Sequence, residues 1–252
     1  MGKIIAVANQ KGGVGKTTTC VNLCCALHNA GKKVLLCDTD PQGNATTAMG
    51  QDKNKIEAGV YDVLSGADAA NNVITTPFGA LLPSNKSLSG ACIELVSMQE
   101  REFVLRKALS KLRDEYDYIL IDCPPSLELL TLNSLCAADS ILIPVQCEYF
   151  ALEGLSDLMT TMRIIKRRLN PTLEIEGVLM TMFDARTHLS MQVTNEVKKY
   201  FREKVYKVVI PRSVRLSEAP SFGKPIMSYD GSSRGAKAYN ELARELISNN
   251  GG

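Results

Sequence analysis

Apolar runs and helical stripes alternate along most of this chain. Lys3 to Asn9 (KIIAVAN) is a short, β-rich apolar run. Thr17 to Asn29 (TTTCVNLCCALHN) then carries apolar residues at helical spacing, and Gly31 stands where a helix C-cap falls. Lys33 to Cys37 (KVLLC) is a second buried strand ending at Asp38, which completes a β-α-β unit. The same alternation returns at Tyr118 to Ile121 (YILI), Ser140 to Val145 (SILIPV) and Ile175 to Met182 (IEGVLMTM), with helical stretches between them. Strands that are apolar throughout must be covered on both faces. The pattern therefore predicts an α/β fold of three layers, a mostly parallel central sheet flanked by helices. Gly50 to Ser89 is the least periodic stretch and reads as irregular surface structure with short strands and helices. Ser232 to Asn250 reads as one closing helix, with Gly251 and Gly252 frayed. No internal repeat, low-complexity tract or Pro/Ser-rich linker interrupts the chain, and 252 residues suit one α/β domain over 1–252.

The first strand runs into NQKGGVGKTT, residues 9 to 18. A glycine-rich turn between a buried strand and a helix aims backbone N–H groups at phosphate oxygens, and the helix N-terminus adds its positive dipole. Gly12, Gly13 and Gly15 supply the room, Lys16 is placed for the β- and γ-phosphates, and the Thr17 hydroxyl for Mg2+. A turn that merely joins strand to helix explains the glycines but not Lys-Thr-Thr at the helix mouth. The loop departs from G-x-x-x-x-G-K-[ST] at its first position, where Gln10 stands. That departure is harmless if residue 10 keeps ordinary backbone angles. The loop also has a second lysine, Lys11, whose plainest reading is an exposed loop charge.

Magnesium needs an acidic partner at a strand end. Asp122 follows YILI and precedes CPPS, whose prolines stop the strand, so it has the Walker-B position; the simpler role for such a residue is to cap a helix. In LLCDTDPQGNAT, Asp38 and Asp40 both stand at the end of the second strand, two residues apart. One is suited to hold the loop and the other to face the γ-phosphate, where a carboxylate positions or deprotonates the attacking water. Asp40 is the candidate for that role, although Asp40-Pro41 also suits a simple turn.

Composition changes the picture little. Net charge is +2, so any nucleic-acid affinity has to come from a local patch. One exists: Lys198, Lys199, Arg202, Lys204, Lys207, Arg212 and Arg215 face a single acid, Glu203, between residues 198 and 215, and RIIKRRL at Arg163 to Leu169 adds further charge. Either cluster also reads as a solvated face. The eight cysteines lie mostly in apolar runs without C-x-x-C spacing and are expected to be buried free thiols. With no secretory leader and no apolar stretch near the ~20 residues that span a bilayer, the expectation is a soluble, cytoplasmic protein.

KGGVGKTT, DTDPQGNAT, IDCPPS, PVQCEYFALEG and IPRSVRLSEAPSFGKPI, in this order, resemble the ParA/Soj branch of the deviant-Walker-A partition ATPases, and the likeness runs from Lys3 to Leu246. The resemblance implies a P-loop NTPase fold and an ATP site built from Lys11, Gly12, Gly13, Val14, Gly15, Lys16, Thr17 and Thr18, with Pro211 and Arg212 near the adenine. It implies that Lys11 crosses a two-fold interface to the nucleotide of a second copy, and that Asp40 serves hydrolysis. Lys11, Lys16 and Asp40 are thus the expected catalytic set, with Thr17 and Asp122 at the metal, Asp122 directly or through water. A lysine supplied in trans would fill the place of an arginine finger, which nothing in the sequence identifies. The resemblance further implies an ATP-bound homodimer that binds double-stranded DNA without base reading, in association with the nucleoid. Arg186 and Arg215 are the leading DNA contacts, with Lys198, Lys199 and Arg202 behind them. A ParB-type centromere-binding protein is the expected partner, and hydrolysis is expected to be weak until that partner stimulates it. A regulatory module whose nucleotide state controls replication initiation or septum placement is the other reading. The tail YNELARELISNNGG lacks the basic amphipathic membrane helix of the septum-site relatives, so no membrane partner is expected.

Overall fold

The computed structural model describes residues 1–148 and 151–251. Tyr149 and Phe150 of the PVQCEYFALEG motif and the terminal Gly252 lie outside the described residues. The strands are β1 (Lys3–Val7), β2 (Val34–Asp38), β3 (Ile74–Thr76), β4 (Gly79–Leu82), β5 (Tyr118–Asp122), β6 (Ser140–Gln146) and β7 (Glu174–Thr181). They form one sheet in the order β3-β4-β2-β5-β1-β6-β7, parallel throughout except for the β3–β4 hairpin at one edge. This is the mostly parallel sheet that the apolar runs predict.

Side-chain alternation divides the core in two. On one face Ile4, Ala6, Leu35, Cys37, Ile119, Ile121, Ile141 and Ile143 pack beneath α3 (Val60–Leu64), α4 (Leu88–Val96), α5 (Val104–Ser110), α6 (Leu129–Ala137), α7 (Ala151–Arg168) and α8 (His188–Phe201). On the other, Ile5, Val7, Leu36, Leu120 and Leu142 meet α1 (Lys16–Asn29), α2 (Asn44–Ala48) and α11 (Arg234–Asn249), with the short helices α9 (Val214–Glu218) and α10 (Ile226–Tyr229) alongside. α1 is buried nearly all round because it lies between the sheet and α11. The α11 face that packs there is Ala236, Tyr239, Leu242, Ala243 and Leu246, broader than the leucines of the tail alone. That face is therefore occupied by the core. Among the described residues no helix is long and apolar enough to cross a membrane.

One expectation needs correction. Gly50 to Ser89 is not confined to the surface: β4 lies parallel to β2, and Leu81 and Leu82 are fully buried. Strands of three and four residues are too short to show a period. The cysteines are free, all buried apart from the half-buried Cys92. Burial pushes the Cys25, Cys136 and Cys147 thiols up to about 11.

Candidate nucleotide-binding site

Register places the chemistry. Val7 and Asp38 both pair with Asp122, so the C-terminal ends of β1, β2 and β5 finish on one level, at the mouth of the Lys11–Lys16 loop. Asp38 and Asp122 have the parity of Leu36 and Leu120, and their side chains therefore fall on the α1 side of the sheet.

Gly13 and Gly15 take left-handed backbone angles (φ 75° and 92°), which other residues adopt at a cost. Gly12 does not, and a Cβ there would meet nothing closer than 3.9 Å, so the loop's geometry demands less of it than of the other two. Gln10 is exposed and avoids the left-handed region, which is why the departure from the usual pattern is harmless. Gly15 caps α1 without a side chain and the first turn holds no acid, so its N–H groups face the loop ready for an anion. Asn9 fixes the loop at its base: its amide donates to the Pro144 carbonyl (2.7 Å) and its Oδ1 accepts from the Lys11 N–H (3.0 Å). Thr181, at the end of β7, donates to the Val14 carbonyl at 2.8 Å.

The two lysines of the loop face different ways. Lys16 is buried, and its Nζ donates to the Lys11 carbonyl at 3.1 Å. Burial lowers its pKa, against the opposing pull of Asp122 and, more weakly, Asp40. Lys11 is half-exposed and reaches sideways to Glu148, Nζ to Oε2 3.3 Å, while Gln146 donates to the other Glu148 oxygen. Sequence reading missed Asn9, Thr181 and Glu148. Each is an ordinary polar residue at a strand end, and only strand order brings them to the loop.

Asp38 is fully buried. Its carboxylate accepts from the Thr46 N–H and hydroxyl (2.8 and 2.7 Å) and from the Asp40 N–H (3.2 Å), so it is the aspartate that holds the loop. Burial raises its pKa to about 6, opposed by the Thr46 hydrogen bonds. Asp40 stands at the loop's inner surface, 7% exposed, and its Oδ1 also accepts from the Gln42 N–H at 2.9 Å. The turn role and the inward position coexist. Asp122 is the unusual group: it is fully buried and neither oxygen has a hydrogen-bonded partner among the described residues. Burial first, then the Asp38 charge, pushes its carboxyl well up, with partial relief from the Thr17 hydroxyl. Buried carboxylate oxygens left without partners are costly unless a cation completes them. The fit to a hard divalent cation with oxygen ligands is good: two open carboxylate oxygens and a threonine hydroxyl at the helix mouth.

A cavity of about 470 Å3 opens beside the loop, lined by Gly15, Thr18, Met182, Pro211, Arg212 and Ser217 among others. Its size suits a nucleoside. Pro211 and Arg212 are thus next to the loop, as expected of residues near the base. Met182 leaves β7 in the left-handed region (φ 51°), turning the chain over this cavity.

The basic residues do not form one patch. Lys198 and Lys199 are exposed in the last turn of α8, where they also complement the helix dipole, and Lys199 pairs with Glu196 (2.6 Å). Exposed Arg202 follows that helix end at φ 50°. Arg186 precedes the opposite end of α8, and at about 1.5 Å rise per residue the two ends of the helix are roughly 15–20 Å apart. Arg212 lines a cavity with Arg186 and, on its other side, the nucleoside cavity with Val214, the neighbour of Arg215. Arg212 thus stands at the nucleoside-sized cavity, with Arg186 on the adjoining cavity and Arg215 next to the lining residue Val214, and Lys198, Lys199 and Arg202 lie towards the far end of α8.

Comparison with known proteins agrees with this geometry. The chain is 59% identical over 252 residues to the sporulation initiation inhibitor protein Soj of Bacillus subtilis (strain 168), covering 99% of this chain and 100% of that protein. It is 50% identical over 254 residues to the chromosome-partitioning ATPase Soj of Treponema pallidum (strain Nichols), covering 100% and 99%. Among solved structures, the cobyrinic acid a,c-diamide synthase from Mycobacterium smegmatis with bound ATP analog and magnesium matches with TM-score 0.87 at 38% identity, over 98% of this chain and 95% of that one. The AAA domain family matches residues 2–175. With the phosphate loop, the strand-end aspartates and these identities over nearly its whole length, the chain belongs to the ParA/Soj family of chromosome-partitioning ATPases.

Proposed function

We propose that the chain, acting as one domain over 1–252, is a DNA-segregating Mg-ATPase whose active form is an ATP-bound homodimer. The observation that carries this reading is the divergence of the loop lysines. Lys16 is tucked into its own loop, whereas Lys11 points outward to Glu148 at the surface, available to a second copy. Lys16, the N–H groups of residues 12–18 and the start of α1 hold the triphosphate, and Pro211 and Arg212 flank the adenine. Asp122 and Thr17 hold Mg2+, Asp122 directly or through water. Held there, the ion would supply charge neutralisation to the bound triphosphate.

Asp40 orients the attacking water and takes its proton as the water oxygen bonds to the γ-phosphorus. The bond from that phosphorus to the β–γ bridging oxygen breaks, giving ADP and phosphate. Lys11 of the second copy neutralises the developing charge. Hydrolysis therefore requires two chains and afterwards releases them. The dimer doubles the arginine face, so binding to duplex phosphates is non-specific, ATP-dependent and located on the nucleoid. A ParB-type centromere-binding protein stimulates a weak basal rate.

The test is ATP turnover with and without duplex DNA and a ParB-type protein. Stimulation by both together is expected; no stimulation in a protein that demonstrably binds ATP contradicts the segregation reading and favours the regulatory-module one. Arg215→Glu is expected to weaken duplex retention at every sequence alike and to flatten its salt dependence, read by anisotropy at several salt concentrations. Unchanged affinity removes Arg215 from the DNA face.

A further inference from the structure

Arg186 is an open cation of the nucleotide-side basic face, its side chain 87% exposed, yet its guanidinium is already engaged. Nε and Nη2 donate to the two carboxylate oxygens of Asp184 at 2.9 and 2.7 Å, and the Arg186 N–H donates to Asp184 Oδ1 at 3.0 Å. A guanidinium presents this same planar fork to a phosphate. Arg186 therefore cannot offer that fork to a phosphodiester while Asp184 holds it.

Asp184 is well placed for this role. Its N–H donates to Ser190 Oγ at 3.3 Å, and the adjoining Phe183 makes main-chain hydrogen bonds to Ile210 and Arg212, each 3.0 Å, so the carboxylate sits on an anchored turn. The Arg186 hydrogen bonds, helped by the Arg212 charge, hold its carboxyl well below the usual carboxylate range. The pair thus stays ionised at neutral pH. A cavity of about 360 Å3 beside it is lined by Arg212 and Arg234 as well as by Asp184 and Arg186. If Arg186 leaves, the Arg212 charge still acts on Asp184, and Arg234 lines the same cavity.

We propose that Asp184 is an intramolecular competitor for DNA phosphate at Arg186, occupying the guanidinium until a phosphodiester displaces it and then falling back on Arg212 and Arg234. The inference rests on the reading of Arg186 as a DNA contact. Because Arg212 also lines the nucleoside cavity, the exchange puts a nucleotide-site residue and a DNA-face residue on one carboxylate. The competing carboxylate keeps the non-specific face weak.

The test uses the full chain with magnesium and a non-hydrolysable ATP analogue, and a short labelled duplex read by anisotropy. Asp184→Asn keeps an oxygen to accept from the Arg186 N–H, so the turn is retained, and a thermal melt checks this. Duplex affinity is expected to rise about two- to five-fold per subunit, the range of an exposed ion pair. The log–log salt dependence is expected to steepen by up to about 0.9 for each further phosphate that Arg186 neutralises. In an Arg186→Ala background the same substitution is expected to change nothing. Unchanged or weaker binding by Asp184→Asn overturns the proposal, as does an equal rise in affinity without Arg186, which marks a general charge effect. Equal duplex affinity of the wild-type and Arg186→Ala chains instead overturns the reading of Arg186 as a DNA contact, and the two failures are told apart by that single variant.

Discussion

Lys16→Ala is expected to abolish ATP binding. Lys16 is the buried cation of the loop, and Asp122 and Asp40 are the acids whose charge acts on it. Removing a charge-assisted phosphate contact alone costs about 1.5–3 kcal/mol, roughly a 10- to 150-fold rise in Kd. Here the loss is larger, because two carboxylates then face the triphosphate without that neutralising ammonium. Binding should be undetectable by calorimetry at micromolar protein. The nucleotide-free chain should not be destabilised, since burial disfavours the charged ammonium and the substitution removes that cost. A melt of the apo variant at or above the wild-type midpoint, with no upward shift on adding Mg-ATP, is the expected pair of results. A normal ATP-induced shift contradicts the assignment.

Asp40→Ala is expected to separate binding from chemistry. Asp40 lies at the inner surface of the loop, and among the described residues its side chain holds neither loop lysine by hydrogen bond and accepts only from the Gln42 N–H in its own turn. Asp38, not Asp40, carries the bonds to Thr46 that fix this segment. ATP binding should therefore survive, while turnover falls by about 10²–10⁴-fold, the usual contribution of a positioned base. Gel filtration with Mg-ATP should then show a dimer that persists and still retains duplex DNA. Loss of ATP binding in this variant contradicts the role, because it makes Asp40 a structural or phosphate-site residue.

The sheet and the phosphate loop were legible because their signals are local. Parallel strands buried on both faces read as unbroken apolar runs, and a phosphate loop needs left-handed backbone at fixed offsets, met by Gly13 and Gly15. Asp122 was legible for the same reason, as an acid closing the YILI strand. What stayed hidden depends on strand order. Thr181 reaches Val14, and Glu148 reaches Lys11, only because β6 lies beside β1 and β7 beside β6. The division of labour between Asp38 and Asp40 was hidden: residues two apart leave a strand on the same face, and only the Thr46 contacts say which one holds the loop. Short β3 and β4 carried too few residues to declare a period. The basic stretch from 198 to 215 misled in another way, since closeness in sequence crosses from the far end of α8 to the nucleotide site.

The central claim is that hydrolysis takes Asp40 from one chain and Lys11 from the other, and mixing two inactive variants tests it most directly. Lys11→Ala and Asp40→Ala chains are combined in equal amounts before Mg-ATP is added, and phosphate release is measured. In a mixed dimer the Lys11→Ala chain keeps its own Asp40 and receives Lys11 from its partner, so one of its two sites is complete. Random pairing should then restore about a quarter of the wild-type rate, because about half the dimers are mixed. Activity no greater than the sum of the two variants measured apart contradicts the claim.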